Sequence, residues 1–121
     1  MLFTPDLEAA AFRSSDGDYA WRRRDAMEAT RALARARLAI LGGELWLVRG
    51  GEVFGVLPQR SGPPGVYHWE CERLSSEGWP SFVARSSREA LSAIESLPPE
   101  GEVDAPADSE IFYNLTWSAE S

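Results

Sequence analysis

Apolar residues recur along this chain with two different periods, and the places where the period changes mark its elements. Thr4-Pro5-Asp6 ahead of Leu7-Glu8-Ala9-Ala10-Ala11-Phe12 has the form of an N-cap, a Pro in the first turn and a short helix. Ser14-Ser15-Asp16-Gly17-Asp18 follows as a turn. Over residues 19–38, Ala26, Met27, Thr30, Leu33, Ala34 and Leu38 form one stripe at helical spacing, which predicts a second helix with its arginines turned outward. Gly42-Gly43 stops the apolar run Leu38-Ala39-Ile40-Leu41, and residues 44–49 read as a central strand, apolar on both faces. Gly50-Gly51 supplies a two-residue hairpin turn, with the return strand at residues 52–57.

Residues 58–65, rich in Pro and Gly, predict a surface loop. The alternation then becomes clean. Tyr67, Trp69 and Cys71 share one face of a strand over residues 66–72, while His68, Glu70 and Glu72 share the other, giving a dry face and an acidic wet one. Trp79-Pro80 opens a segment to which no element is assigned. Ser86-Ser87-Arg88-Glu89 has the Ser-x-x-Glu form of a capping box, and Ala90, Leu91, Ala93, Ile94 and Leu97 make the stripe of the helix after it, which Pro98-Pro99 ends. Residues 98–109 predict a second, acidic surface loop. The last strand, residues 110–117, alternates Ile111, Tyr113, Leu115 and Trp117 against Phe112, Asn114 and Thr116, with the first set expected inside. The order helix, helix, three strands, helix, strand predicts a single α+β domain over residues 1–121: an antiparallel sheet of about four strands with helices on one face.

Composition narrows the function classes. A chain of 121 residues has room for one hydrophobic core. Its single cysteine, Cys71, excludes an internal disulfide and suits a reducing compartment, and the absence of a leader-like or bilayer-length apolar run predicts a cytoplasmic chain without a membrane partner. Net charge is −7, from 19 acids against 12 arginines and no lysine. The charge is segregated: residues 20–43 hold six Arg beside Asp25 and Glu28, and residues 100–121 hold six acids and no base. An acidic chain repels phosphate backbones and favours a basic partner.

No catalytic constellation stands out, and no cofactor or metal is expected. The only histidine, His68, has Glu70 two residues on along the same strand face, a pairing that belongs to a plain surface histidine far more often than to a small enzyme. Cys71 points inward, where a thiol is inert. The arginines at 22, 23, 24, 31, 35 and 37 suggest a nucleic-acid helix, but Asp25 and Glu28 sit among them at ion-pair spacing, with Arg24 and Arg31 flanking Glu28, which favours a solvated helix face. Asn114-Leu115-Thr116 matches a glycosylation sequon, without meaning inside a strand of a cytoplasmic chain.

The run Tyr19-Ala20-Trp21 through Asp25-Ala26-Met27-Glu28-Ala29, then Leu33 and Leu38-Ala39-Ile40-Leu41-Gly42-Gly43-Glu44-Leu45, resembles the N-terminal half of a small immunity-protein family from bacterial polymorphic toxin systems. There an Asp-Ala-x-x-Ala helix containing Trp leads into a Leu-Gly-Gly-Asp-Val strand start. Trp79, Phe82-Val83, Ser86, Ala90 and Ile94 resemble the family's second signature, and the likeness covers about residues 2–97. Glu44-Leu45 replaces Asp-Val, keeping the carboxylate but lengthening it. The resemblance implies a non-enzymatic protein, monomer or homodimer, that binds one cognate toxin, such as a nuclease, and occludes its active site. The expected toxin-binding residues are Glu70 and Glu72, then Glu102, Asp104 and Asp108 in the loop, with Trp79 as an aromatic anchor. A structural or adaptor subunit is the alternative.

Overall fold

The computed structural model describes residues 2–55, 67–98 and 109–120. Helix α1 (Pro5–Ala10) starts as its sequence dictates: Thr4 Oγ1 accepts a hydrogen bond from Leu7 N at 3.2 Å, and Pro5 sits where no helical donor is needed. The chain then forms two short strands, β1 (Phe12–Arg13) and β2 (Tyr19–Trp21), before helix α2 (Arg23–Arg35). The helix expected over residues 19–38 is therefore shorter at both ends. Three residues are too few for a period to be read, and tertiary context decides them: Tyr19, Ala20 and Trp21 pair with Leu115, Asn114 and Tyr113. Trp21 is fully buried, and its Nε1 donates to Leu7 O at 2.8 Å, tying α1 to the sheet.

Strand β3 (Ala39–Arg49) begins five residues before the expected start, because Gly42-Gly43 lies within it instead of stopping the run ahead of it. The pairing with the last strand slips between Ile40 and Gly42, leaving Leu41 as the extra residue of a bulge. A Cβ on Gly42 would come within 2.3 Å of Trp69 O, and one on Gly43 within 2.0 Å of Asn114 O. These glycines mark close backbone approach, the other use of glycine in a strand. Gly50 and Gly51 (φ 60° and 80°) make the expected hairpin to β4 (Glu52–Gly55).

Strand β5 (His68–Glu70), helix α3 (Trp79–Ser96) and strand β6 (Ser109–Ser118) complete the fold. The strands run in the order β1-β2-β6-β3-β4, with β5 beside β4 along β3 and every pairing antiparallel. The expected α+β class and its antiparallel sheet are present. The sheet has six strands among the described residues instead of about four, because Phe12 falls at the end of the first expected helix and residues 19–21 at the start of the second. Leu7 of α1, Ala26, Ala29 and Leu33 of α2, and Ala90 and Ile94 of α3 pack on Ile40, Leu45, Tyr113 and Leu115 as one core on one sheet face. Each large side chain removed from water there contributes about 1.5–3 kcal/mol. Residues 58–65, expected as a loop, lie outside the described residues, as do 99–108 of the second expected loop.

The capping-box reading of Ser86 is corrected. Helix α3 starts seven residues earlier, at Trp79-Pro80, where Pro in the first turn is the true start signal. Ser86 is fully buried between helix and sheet: its Oγ accepts from Ile40 N at 3.1 Å and donates to Val83 O at 3.1 Å. Ile40 N stands at the bulge. Ser86→Ala would leave that buried N–H without its acceptor, at an expected cost of about 1–3 kcal/mol in urea denaturation, whereas Ser87→Ala one residue on should change stability by less than about 0.5 kcal/mol.

Candidate functional site

The helices cover one face of the sheet; the other carries two kinds of surface, divided by a cross-strand row. That row runs Phe12, Ala20, Asn114, Glu44, His68 through β1, β2, β6, β3 and β5. To one side Trp46 pairs with Phe112, and Phe12 leans over the small Ala20 to meet both, with ring centroids 6.3 and 5.9 Å away. The sheet curls there, and Trp46 and Phe112 are buried (6% and 9% exposed) on the face without helices. To the other side Gly42 lies between Thr116 and Glu70. Around it lies a cleft of about 240 Å³ walled by Glu44, His68, Glu70, Asn114 and Thr116.

Two of these groups are fixed from beneath. Buried Trp46 donates its Nε1–H to Glu44 Oε1 at 2.7 Å, the i, i+2 contact that a strand allows on one face. Asn114 is 6% exposed, and its Nδ2 donates to Tyr19 O at 2.9 Å. A carbonyl can only accept, so this bond sets the amide's orientation and leaves Oδ1 as an acceptor. The cleft thus presents the Glu44 and Glu70 carboxylates, the Asn114 amide oxygen and the Thr116 hydroxyl.

Of the expected binding residues, Glu70 stands in this cleft and Glu72 is exposed just beyond β5, as the alternation implied. Trp79 lies on the helix side. It is half-buried, its Nε1 donates to Arg37 O at 2.9 Å, and its ring meets Phe82 edge-on with the Arg73 guanidinium 5.3 Å from its centroid. Glu102, Asp104 and Asp108 lie outside the described residues. Glu44, Asn114 and Thr116, which also wall the cleft, are not among the expected binding residues. Their signal was the β6 alternation, which put Asn114 and Thr116 on the face away from the core, but the partner strand and its register were not legible.

The arginines of the second helix serve the fold. Arg23 Nε donates to Ile94 O at 3.0 Å, and its Nη2 donates to Leu97 O and Tyr113 Oη at 3.2 and 2.8 Å, closing the C-terminal end of α3. Arg22 pairs with Glu110. Glu28 pairs with Arg31 at 2.8 Å, not with Arg24. This is the solvated, ion-paired helix face expected.

Cys71 points inward as expected. Burial is the main cause that pushes its thiol up to about 11, reinforced by Glu89, whose Oε2 accepts from Sγ at 2.6 Å. Arg85 beside it binds Glu77 with both Nε and Nη2 and holds that carboxyl well below the usual range, at about 2. A raised thiol stays protonated until the pH nears 11, so at pH 8 the native chain should react with a disulfide reagent about a hundredfold more slowly than the urea-unfolded chain. Equal rates would contradict the buried placement.

The molecule is a small α+β domain with helices on one face of its sheet, and no group of three or more His, Cys, Asp or Glu able to hold a metal ion occurs among the described residues. Residues 7–117 match the family described as immunity protein 40, and the chain belongs to that family. No curated protein and no solved structure matches the chain. The match takes in both signature blocks and runs on through β6 to Trp117. Immunity proteins neutralise toxins, generally without catalysis, so membership implies a cognate toxin as partner. No helix among the described residues is long and apolar enough to cross a membrane.

Proposed function

We propose that this chain neutralises one cognate bacterial toxin in the cytoplasm by binding it directly and occluding its active site. The observation that carries the reading is the open sheet face: a preorganised, acceptor-rich cleft on a chain of net charge −7, in an immunity-protein family. A nuclease is the toxin class that best matches it. A phosphate-binding cleft is cationic, and carboxylates held in place substitute for the nucleic acid there. Glu70 and Glu72 form the contact surface, extended by Glu102, Asp104 and Asp108. Trp79 supplies aromatic area at a separate edge.

Co-expression tests this reading. The toxin sought is the C-terminal domain of a large secreted protein encoded beside this chain. Growth arrest by that domain alone, relieved when this chain is co-expressed, supports neutralisation. Arrest that persists despite equal expression of the chain contradicts it.

A further inference from the structure

A groove of about 750 Å³ lies on the helix side, between the C-terminal end of α2 and the first turns of α3. Ala34, Trp79, Pro80, Val83 and Ala84 line it, with Arg37 and Glu120 as its charged members. Glu120 is committed to Arg73, which pairs with it at 3.2 Å and also covers the Trp79 ring. Arg37 is exposed, and its guanidinium makes no hydrogen bond, ion pair or ring contact among the described residues. The backbone that carries it is unusual. Helix α2 ends in a Schellman motif, in which Leu38 N donates to Leu33 O and Arg37 N to Ala34 O, each at 3.0 Å. The motif puts Arg37 in the left-handed region (φ 62°), whereas every other positive-φ residue among those described is a glycine. A side chain there carries a conformational penalty that glycine avoids. Trp79 Nε1 donates to Arg37 O at 2.9 Å, so both backbone groups of Arg37 are fixed and its side chain leaves a rigid frame beside the groove.

We infer that this groove is a second contact with the toxin, taking an apolar side chain of a partner segment whose adjacent carboxylate pairs with Arg37. This rests on the immunity reading and names the chemistry of the partner segment. Charge selects the occupant: Arg73 offsets Glu120, which leaves Arg37 as a net positive charge in a groove of an otherwise acidic chain. Composition selects a protein, because Trp and Arg around an apolar pocket are the residues on which interfaces concentrate their binding energy. The strain points the same way. No contact of the guanidinium among the described residues offsets the penalty at φ 62°, and pairing with a partner's carboxylate does.

Three measurements on the full chain, wild type and Arg37→Gly, test this. In the first, thermal unfolding, glycine relieves the left-handed backbone and Tm is expected to rise by about 2–6 °C. An unchanged or lower Tm would assign the side chain to the fold and overturn the inference. In the second, N-acetyl-phenylalanine, which joins a ring to a carboxylate, is titrated into ¹⁵N-labelled chain while the Trp79 indole N–H and the Arg37 and Ala84 amides are followed by NMR. Saturable shifts are expected, with affinity about threefold weaker or more for the uncharged amide of the same ligand and for the variant. Absent shifts, shifts reproduced by sodium phosphate, or an equal response from the amide or the variant would each overturn it. In the third, both chains are titrated with the toxin domain, and the variant is expected to bind about tenfold more weakly. Equal binding by both would leave neutralisation standing and remove the groove from it. Failure of the wild-type chain to bind would sink the immunity reading, and the first two measurements would still judge whether the groove takes an apolar carboxylate.

Discussion

Gly43→Ala is expected to destabilise the chain by about 3 kcal/mol or more. A Cβ at this position would stand 2.0 Å from Asn114 O and 2.5 Å from Trp69 Cη2. The first neighbour is backbone of β6, locked in register with β3 on one side and β2 on the other, so it cannot give way without breaking two ladders. The second is an indole packed on the core from β5. Gly51→Ala provides the comparison: nothing lies within 4 Å of its Cβ, and only the φ of +80° penalises a side chain, for about 1 kcal/mol. Urea denaturation of the two variants measures the contrast. Similar small losses would show that β3 and β6 do not approach as closely as the bulge at Leu41 requires.

The second large effect is on binding. Glu70→Arg combined with Glu72→Arg should weaken the toxin complex by two to three orders of magnitude (about 3–4 kcal/mol), because juxtaposed like charges cost several kcal/mol at an interface. Both side chains are exposed, so stability should stay within about 0.5 kcal/mol of wild type and a binding loss could not be ascribed to unfolding. Glu95→Arg, an exposed acid on α3, should leave the affinity within about twofold, which separates a local contact from the effect of net charge. Association rate is informative too. If Glu70 and Glu72 steer the encounter, added salt should slow association of wild type more than that of the variant. Full affinity in the double variant would move the interface elsewhere.

The residues that shape the cleft show how far a sequence can be read. The period-two pattern of Tyr67 to Glu72 placed Trp69 and Cys71 inside and His68 and Glu70 outside, because a strand with one buried face writes its orientation into its composition. Thr4-Pro5 and Gly50-Gly51 were legible for the same local reason: each does its work within four residues. What escaped depends on partners distant in sequence. Tyr19-Ala20-Trp21 is a strand only because β6, more than 90 residues on, lies beside it. Ser86 resembles a cap and is instead a bridge from α3 to the bulged strand. Glu44 meets Asn114 because the register slips at Leu41, and an alternation cannot announce a slip in its partner. The apolar outer face expected of residues 44–49 is real in part: Trp46 and Phe112 are buried on the helix-free face, where Phe12 packs against both. The wet remnant is the cleft.

Isothermal titration of the purified chain against the toxin's catalytic domain tests the central claim most directly, with toxin activity assayed across the same titration. A one-to-one complex with nanomolar or tighter Kd, and activity that disappears at one equivalent, is the result expected of direct occlusion. No heat of binding, or a saturated complex whose toxin remains active, would contradict it.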